Sequence, residues 1–223
     1  MASNRAVVFD LDGTLVDAFS DIAAAVNVPL AARGYRTHSV QEIKRMVGDG
    51  AGKLIERAAP PGLSPHETRA IFEEMMTHYR EHPADLAVVY PGVFPLLQRL
   101  ADSGIRLAVL SNKPHPMTLK TCDDLGLTKY FDDILGEVTG QYPRKPDPRG
   151  LQAQLQRLGA RTSIMVGDGI PDAQVANAAR IPFIGCLWGT RNADELSRFN
   201  PVGLAQTVDD LGPLILDGLN GSR

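Results

Sequence analysis

The chain has 223 residues, 43% of them hydrophobic and 22% charged, and a net charge of −3. That composition suits a soluble globular chain and excludes a disordered, collagen-like or coiled-coil protein. It offers no basic field for nucleic acid or anionic membrane. Cys122 and Cys186 cannot build a disulfide framework and lack the close spacing of zinc ligands. No apolar run reaches the roughly 20 residues of a membrane span, and the first residues lack a signal-peptide apolar region. The expectation is a cytoplasmic, reduced protein.

In chain order, Ala6 to Phe9 is a short apolar run ending on Asp10-Leu11-Asp12-Gly13-Thr14. From about Asp17 to about Val88 no strand is evident. Ser39 with Glu42 and Ser64 with Glu67 form capping boxes, the second followed by an apolar stripe of Ile71, Phe72, Met75 and Tyr79. The block returns at the turn Tyr90-Pro91-Gly92. A helix follows, with Val93, Leu96, Leu97 and Leu100 on one face and Gly104 as its stop.

Arg106 to Leu110 is the next apolar run and ends on Ser111-Asn112-Lys113; Ile134-Leu135 makes a short one. Asp147 reads as an N-cap with Pro148 in the first turn, ahead of Leu151, Leu155 and Leu158. Ser163 to Val166 ends on Gly167-Asp168-Gly169, and Pro182 to Leu187 ends on Trp188-Gly189. Thr207 and Asp210 cap a last helix with Leu211, Leu214 and Ile215, expected to cover the sheet's edge, and Gly218 to Arg223 is expected to fray.

Continuous apolar runs separated by helices predict an α/β protein with a doubly wound parallel sheet. The predicted organisation is a core of residues 1–16 and 89–223, with a small all-helical cap, 17–88, inserted after the first strand.

Ligands in such sheets bind beyond the carboxyl ends of the strands. That rule gathers Asp10, Asp12, Ser111, Asn112, Lys113, Asp168 and Asp172, with Lys145 in a nearby loop. Carboxylates brought together repel unless a cation joins them, and hard oxygen ligands favour Mg2+ beside a phosphate. Lys145 and the Ser111 hydroxyl would face the phosphate oxygens. Asp10 and Asp12, two apart, point the same way, so one can attack while the other manages the proton; Gly13 allows a sharp turn and Thr14 adds a hydroxyl.

Phe9-Asp10-Leu11-Asp12-Gly13-Thr14-Leu15-Val16-Asp17 resembles the first motif of the haloacid dehalogenase superfamily. Leu110-Ser111-Asn112-Lys113, Lys145-Pro146-Asp147-Pro148 and Gly167-Asp168-Gly169-Ile170-Pro171-Asp172 are similar to the second, third and fourth. The resemblance implies a Rossmann-like core and a phosphoaspartate mechanism. Asp10 would be the nucleophile and Asp12 the acid and base. Ser111, the Asn112 backbone and Lys145 would stabilise the phosphoryl group. Mg2+ would be held by Asp10, the Asp12 carbonyl and Asp168, with Asp172 ligating or orienting.

Within the superfamily, Val47-Gly48-Asp49-Gly50-Ala51-Gly52-Lys53-Leu54, Tyr90-Pro91-Gly92-Val93 and Leu125-Gly126-Leu127-Thr128-Lys129-Tyr130-Phe131 resemble the phosphoglycolate phosphatase-like branch. It implies a small anionic phosphorylated metabolite as substrate, 2-phosphoglycolate first, on a monomer or homodimer. Gly48, Gly50 and Lys53 are the cap candidates for contact with that substrate, and Thr14 is a further candidate phosphate contact. The glycine-rich stretch is one residue short of a P-loop and follows no strand, so it is not one. Alternatives in the same fold are a pyrophosphatase, a nucleotidase and a sugar-phosphate phosphatase or phosphomutase. A scaffold without catalysis would have lost Asp10, Asp12 or Lys145.

Two departures stand out. Gly169 occupies a position where serine is usual, which predicts a looser loop, and Arg180 replaces a usual glycine. Asp17 is readable as a helix-start residue or a direct participant, and Lys113 as a phosphate contact, a salt bridge or a surface lysine. His78 and His82, four apart, read as a solvated helix face rather than a metal pair.

Overall fold

The computed structural model describes residues 4–221. Six parallel strands form one sheet in the order β5-β4-β1-β6-β7-β8. They are β1 (Arg5–Phe9), β4 (Arg106–Pro114), β5 (Asp133–Glu137), β6 (Thr162–Gly167), β7 (Phe183–Cys186) and β8 (Gly203–Ala205). Alternate residues along these strands face opposite sides, and both sides are buried. Val7, Phe9, Val109 and Ile164 enter one hydrophobic cluster, whereas Ala6, Val8, Ala108 and Met165 enter the other.

The first cluster is closed by α5 (Val93–Asp102), α6 (His115–Asp124) and α10 (Val208–Gly221). The second is closed by α7 (Arg149–Leu158), α8 (Ile170–Ala179) and the short α9 (Ala193–Ser197). In α5, Val93, Leu96, Leu97 and Leu100 are all buried, which is the predicted stripe. A 3-10 turn spans Thr128–Tyr130.

The chain leaves β1, builds β4 and β5 on one side, then returns to lay β6 on the other. The strand order therefore reverses at β1, whose carboxyl end lies between those of β4 and β6. Two two-residue strands, β2 (Val16–Asp17) and β3 (Val88–Val89), pair antiparallel. Between them run four helices: α1 (Phe19–Ala32), α2 (Val40–Met46), α3 (Ala51–Ala58) and α4 (Pro65–Glu81). Both predicted capping boxes are formed, at Ser39–Glu42 and Ser64–Glu67. The chain returns at β3, slightly before the predicted turn, and the Tyr90 amide donates to the Leu15 carbonyl.

Several expectations are corrected. Helix α7 begins at Arg149 with Pro148 as its N-cap, and the Asp147 carboxylate accepts the Arg149 amide two residues on. β4 runs on through Ser111, Asn112 and Lys113, and its register against β5 shifts between Leu110 and Pro114. The edge strand β8 was not foreseen. Helix α10 lies across β6 and β8 beside α5, so it covers a face of the sheet. It stays helical to Gly221 with Leu219 buried; Ser222 and Arg223, also expected to fray, lie outside the described residues, as do Met1 to Ser3.

Gly169 is extended, with φ −109°, and its amide donates to Asp172 Oδ2 at 2.9 Å, so this loop is tied rather than loose. Arg180 is left-handed, with φ 58°, at the end of α8. A residue with a Cβ pays for that conformation, so Arg180→Gly should stabilise the fold by about 1 kcal/mol. The expected rise in Tm is about 2–4 °C, readable by calorimetry; an unchanged or lower Tm would mean the arginine side chain supplies the difference.

Candidate active site

The ends of β1, β4 and β6 build most of the site. Asp10 follows β1, and its amide donates to the Val166 carbonyl on β6 at 2.9 Å. The chain then turns at Gly13, whose amide donates to the Val16 carbonyl. Gly13 has φ 91°, and a Cβ there would lie 2.6–2.9 Å from the Asp168 carboxylate atoms, so glycine is needed for both conformation and space. A Cβ at Gly189 would come within 2.2–2.3 Å of the same side chain.

Asp10, Asp12, Ser111, Asn112, Lys145, Asp168, Asp172, Gly48 and Gly50 all line one cavity of about 110 Å3, together with Lys113 and Thr190. Lys145 Nζ is its best-connected cation. It donates to Asp10 Oδ1 at 2.7 Å and to the Leu110 carbonyl at 2.7 Å, and it lies 2.6 Å from Asp172 Oδ1. Asn112 fixes the backbone beneath it, accepting the Lys145 amide at 2.7 Å and donating to the Lys145 carbonyl at 3.2 Å. The Lys145–Pro146 peptide bond is cis. Ser111 Oγ accepts the Lys113 amide at 3.2 Å.

Lys113 is buried and ion-paired, its Nζ 3.2 Å from Asp12 Oδ1 and 4.8 Å from the centre of the Tyr79 ring. Asp168 is held by three donors: Thr14 Oγ1 at 3.0 Å, the Thr190 amide at 2.7 Å and Thr190 Oγ1 at 2.8 Å.

Two predicted contacts are therefore placed differently. The Thr14 hydroxyl is spent on Asp168 rather than facing the cavity. Lys53 is exposed and pairs with Glu56 at 2.5 Å, one turn along α3, because its position on the helix carries it away from the cavity. Asp17 accepts the Phe19 amide at the start of α1, the helix-start role. The rings of His78 and His82 stack, and His82 meets Asp85 at 2.7 Å.

Sequence reasoning missed Thr190, which follows the end of β7 and was within reach of the strand-end rule. It also missed three cations that tie the helical insertion to the sheet. Lys44 donates to the Trp188 carbonyl at 2.8 Å, Arg191 to that of Val47 at 3.2 Å and Arg144 to that of Asp49 at 3.2 Å. Trp188 in turn donates its indole N–H to the Thr14 carbonyl and meets Tyr90 edge-on.

Asp10, Asp168 and Asp172 each offer an oxygen within 4.8 Å of the others, a set able to hold a metal ion. Burial raises the Asp10 pKa to about 7, with Asp172 adding to the shift, and Asp168 to about 6, with Asp10 adding. Asp172 is also raised by burial, against the pull of Lys145. Burial alone would lower both lysines, but Asp10 and Asp172 beside Lys145, and Asp12 beside Lys113, more than reverse this and leave both above their ordinary value.

The raised acids bind protons in the folded state that the unfolded chain releases. Their stabilising contribution is whole below the ordinary value of 3.8 and is lost as pH rises through about 6 to 7. With a chelator present, Asp10→Asn should therefore be close to wild type in Tm at pH 5 and clearly above it at pH 8. Parallel Tm curves across that range, followed by differential scanning fluorimetry, would reject the charge crowding.

The haloacid dehalogenase-like hydrolase profile matches residues 4–180. The phosphoglycolate phosphatase of Rhodospirillum rubrum is 40% identical over 194 residues, covering 83% of this chain and 80% of its own. That of Agrobacterium fabrum is 36% identical over 187 residues, covering 82% and 80%. A solved structure from Lactobacillus delbrueckii subsp. bulgaricus, 26% identical, superposes with a TM-score of 0.87 over 94% of this chain and 97% of that one. In both fold and sequence, the chain belongs to the haloacid dehalogenase-like hydrolases.

Proposed function

We propose that the protein is a magnesium-dependent phosphatase that hydrolyses a small phosphate monoester, 2-phosphoglycolate, to glycolate and inorganic phosphate. The observation that carries this reading is the convergence of Asp10, Asp12, Ser111, Lys145 and Asp168 on one cavity from well-separated segments. The name shared by the Rhodospirillum and Agrobacterium relatives supports the substrate.

The donor set fits Mg2+. Its oxygens are hard, and the charged residues lining the cavity are four aspartates and two lysines, an excess of two negative charges when all are ionised. Asp10, Asp168 and the Asp12 carbonyl would hold the ion, with Asp172 adding charge and anchoring Lys145. When bound, Mg2+ neutralises charge on the transferring phosphoryl group.

An Asp10 carboxylate oxygen attacks phosphorus, the ester P–O bond breaks, and Asp12 gives its proton to the departing oxygen. Water then attacks the aspartyl phosphate and yields a proton to Asp12. The bond to Asp10 breaks and phosphate leaves, restoring both residues. Lys145 and the Ser111 hydroxyl stabilise the phosphoryl oxygens in both steps. Lys113 fixes one oxygen of Asp12, which sets the carboxyl for proton transfer. Residues 17–88 act as a cap on the core of residues 1–16 and 89–223, joined through β2 and β3, and exclude bulk water from the site. The unpaired, buried thiols of Cys122 and Cys186 suit a reducing cytoplasm. No helix among the described residues is long and apolar enough to cross a membrane.

The test is kcat/KM for 2-phosphoglycolate beside a panel of phosphate esters and pyrophosphate, with Mg2+ and then with EDTA. A preference of about a hundredfold or more for phosphoglycolate, abolished by EDTA, is expected. A profile peaked on pyrophosphate, a nucleotide or a sugar phosphate would replace the substrate and keep the chemistry. Asp10→Asn should lower kcat by more than roughly 1000-fold while the protein stays folded; activity within about tenfold of wild type would reject Asp10 as the nucleophile.

A further inference from the structure

The cavity has two chemically different halves. The sheet supplies the charged half. The helical insertion supplies an apolar half lined by Ile22, Leu54, Met75 and Met76, and one polar side chain from α4, Tyr79, lies among them. Tyr79 is only 5% exposed; the Lys113 ammonium beside it can donate to the phenol oxygen, but the O–H has no acceptor among the described residues. A buried O–H left without an acceptor is costly to the fold, and such a group in a cavity wall is suited to an incoming acceptor.

The surroundings specify which acceptor. The Lys113 ammonium lies over the Tyr79 ring and is paired with Asp12, so this corner is positive when Asp12 carries the proton it gives to the departing oxygen. Gly50 and Ala51, at the start of α3, also line the cavity. The first ladder bond of that helix runs from the Leu54 amide to the Gly50 carbonyl, which leaves the preceding first-turn amides outside the ladder. Lys113 also binds Asp12, the residue assigned to protonate the departing oxygen, and this sets Tyr79 on the leaving-group side of the cavity rather than the phosphoryl side.

The geometry points to a carboxylate subsite at this end of the cavity. The Tyr79 hydroxyl donates to a carboxylate carried by the leaving group, and Lys113 and the first turn of α3 supply the positive potential. The inference rests on the phosphatase reading above and makes Tyr79 a specificity-determining residue for an acid-bearing ester.

The test compares 2-phosphoglycolate with ethyl phosphate, in which a methyl group replaces the carboxylate, in wild type and Tyr79→Phe. The variant should lose roughly 10- to 100-fold in kcat/KM on phosphoglycolate, mainly through KM, and change less than about threefold on ethyl phosphate. Its Tm should stay close to that of wild type, since the O–H has no internal acceptor to lose. Equal losses on both substrates, full retention on phosphoglycolate, or a lower Tm would overturn the subsite. A wild type that prefers phosphoglycolate and a variant that keeps the preference would overturn the subsite alone. A wild type that treats the two esters alike would overturn both the subsite and the substrate assignment.

Discussion

Buried carboxylates repel one another, and a sheet that gathers four of them at one end must place cations there as well. Lys145 and Lys113 meet that need from within the chain, each buried and each bound to a different member of the Asp10–Asp12 pair. The two aspartates are thereby set in different surroundings although they are two residues apart. Asp10 shares its lysine with Asp172 and sits in the crowded acidic group, whereas Asp12 has Lys113 on the side of the helical insertion. Paired acids with different surroundings are the usual basis for a division of roles between nucleophile and proton carrier.

The rest of the fold holds this arrangement in register. β1 is hydrogen-bonded on both edges and buried on both faces, so the position of Asp10 follows from a strand held on all four sides. Asp168 is confined by Gly13 and Gly189, which leave no room for a Cβ, and by the hydroxyls of Thr14 and Thr190. The irregular end of β4 lets neighbouring residues serve different purposes: Asn112 braces the Lys145 loop while Lys113 reaches Asp12.

Much of this was legible in the sequence because the site sits at strand ends, and short apolar runs closed by polar residues mark strand ends directly. The runs before Asp10, Ser111 and Asp168 are of this kind, and both capping boxes declared their helices locally. Features that depend on partners across space were not legible. Gly203-Leu204-Ala205 has no β-branched residue and becomes a strand only by pairing with β7. The Thr14 hydroxyl could be placed near the site but not assigned to Asp168, which is 154 residues away in sequence. Tyr79 fitted the apolar stripe of α4 so well that its hydroxyl carried no separate signal, and Lys113 was ambiguous until Asp12 was found beside it.

The helical insertion meets the sheet through Lys44, Arg144 and Arg191, and all three bonds end on backbone carbonyls, two of them within the segment from Val47 to Gly50. A carbonyl is present whatever side chain its residue carries. The side chains of Val47 and Asp49 can therefore be exchanged without removing the acceptors that fasten the segment over the cavity. Gly48 and Gly50, by contrast, are held as glycines, because a Cβ at either would press on Arg191 or Arg144 itself. The fastening and the selection of ligand are thus encoded in separate atoms of the same loop, so a lineage can alter what the pocket admits while the insertion stays moored.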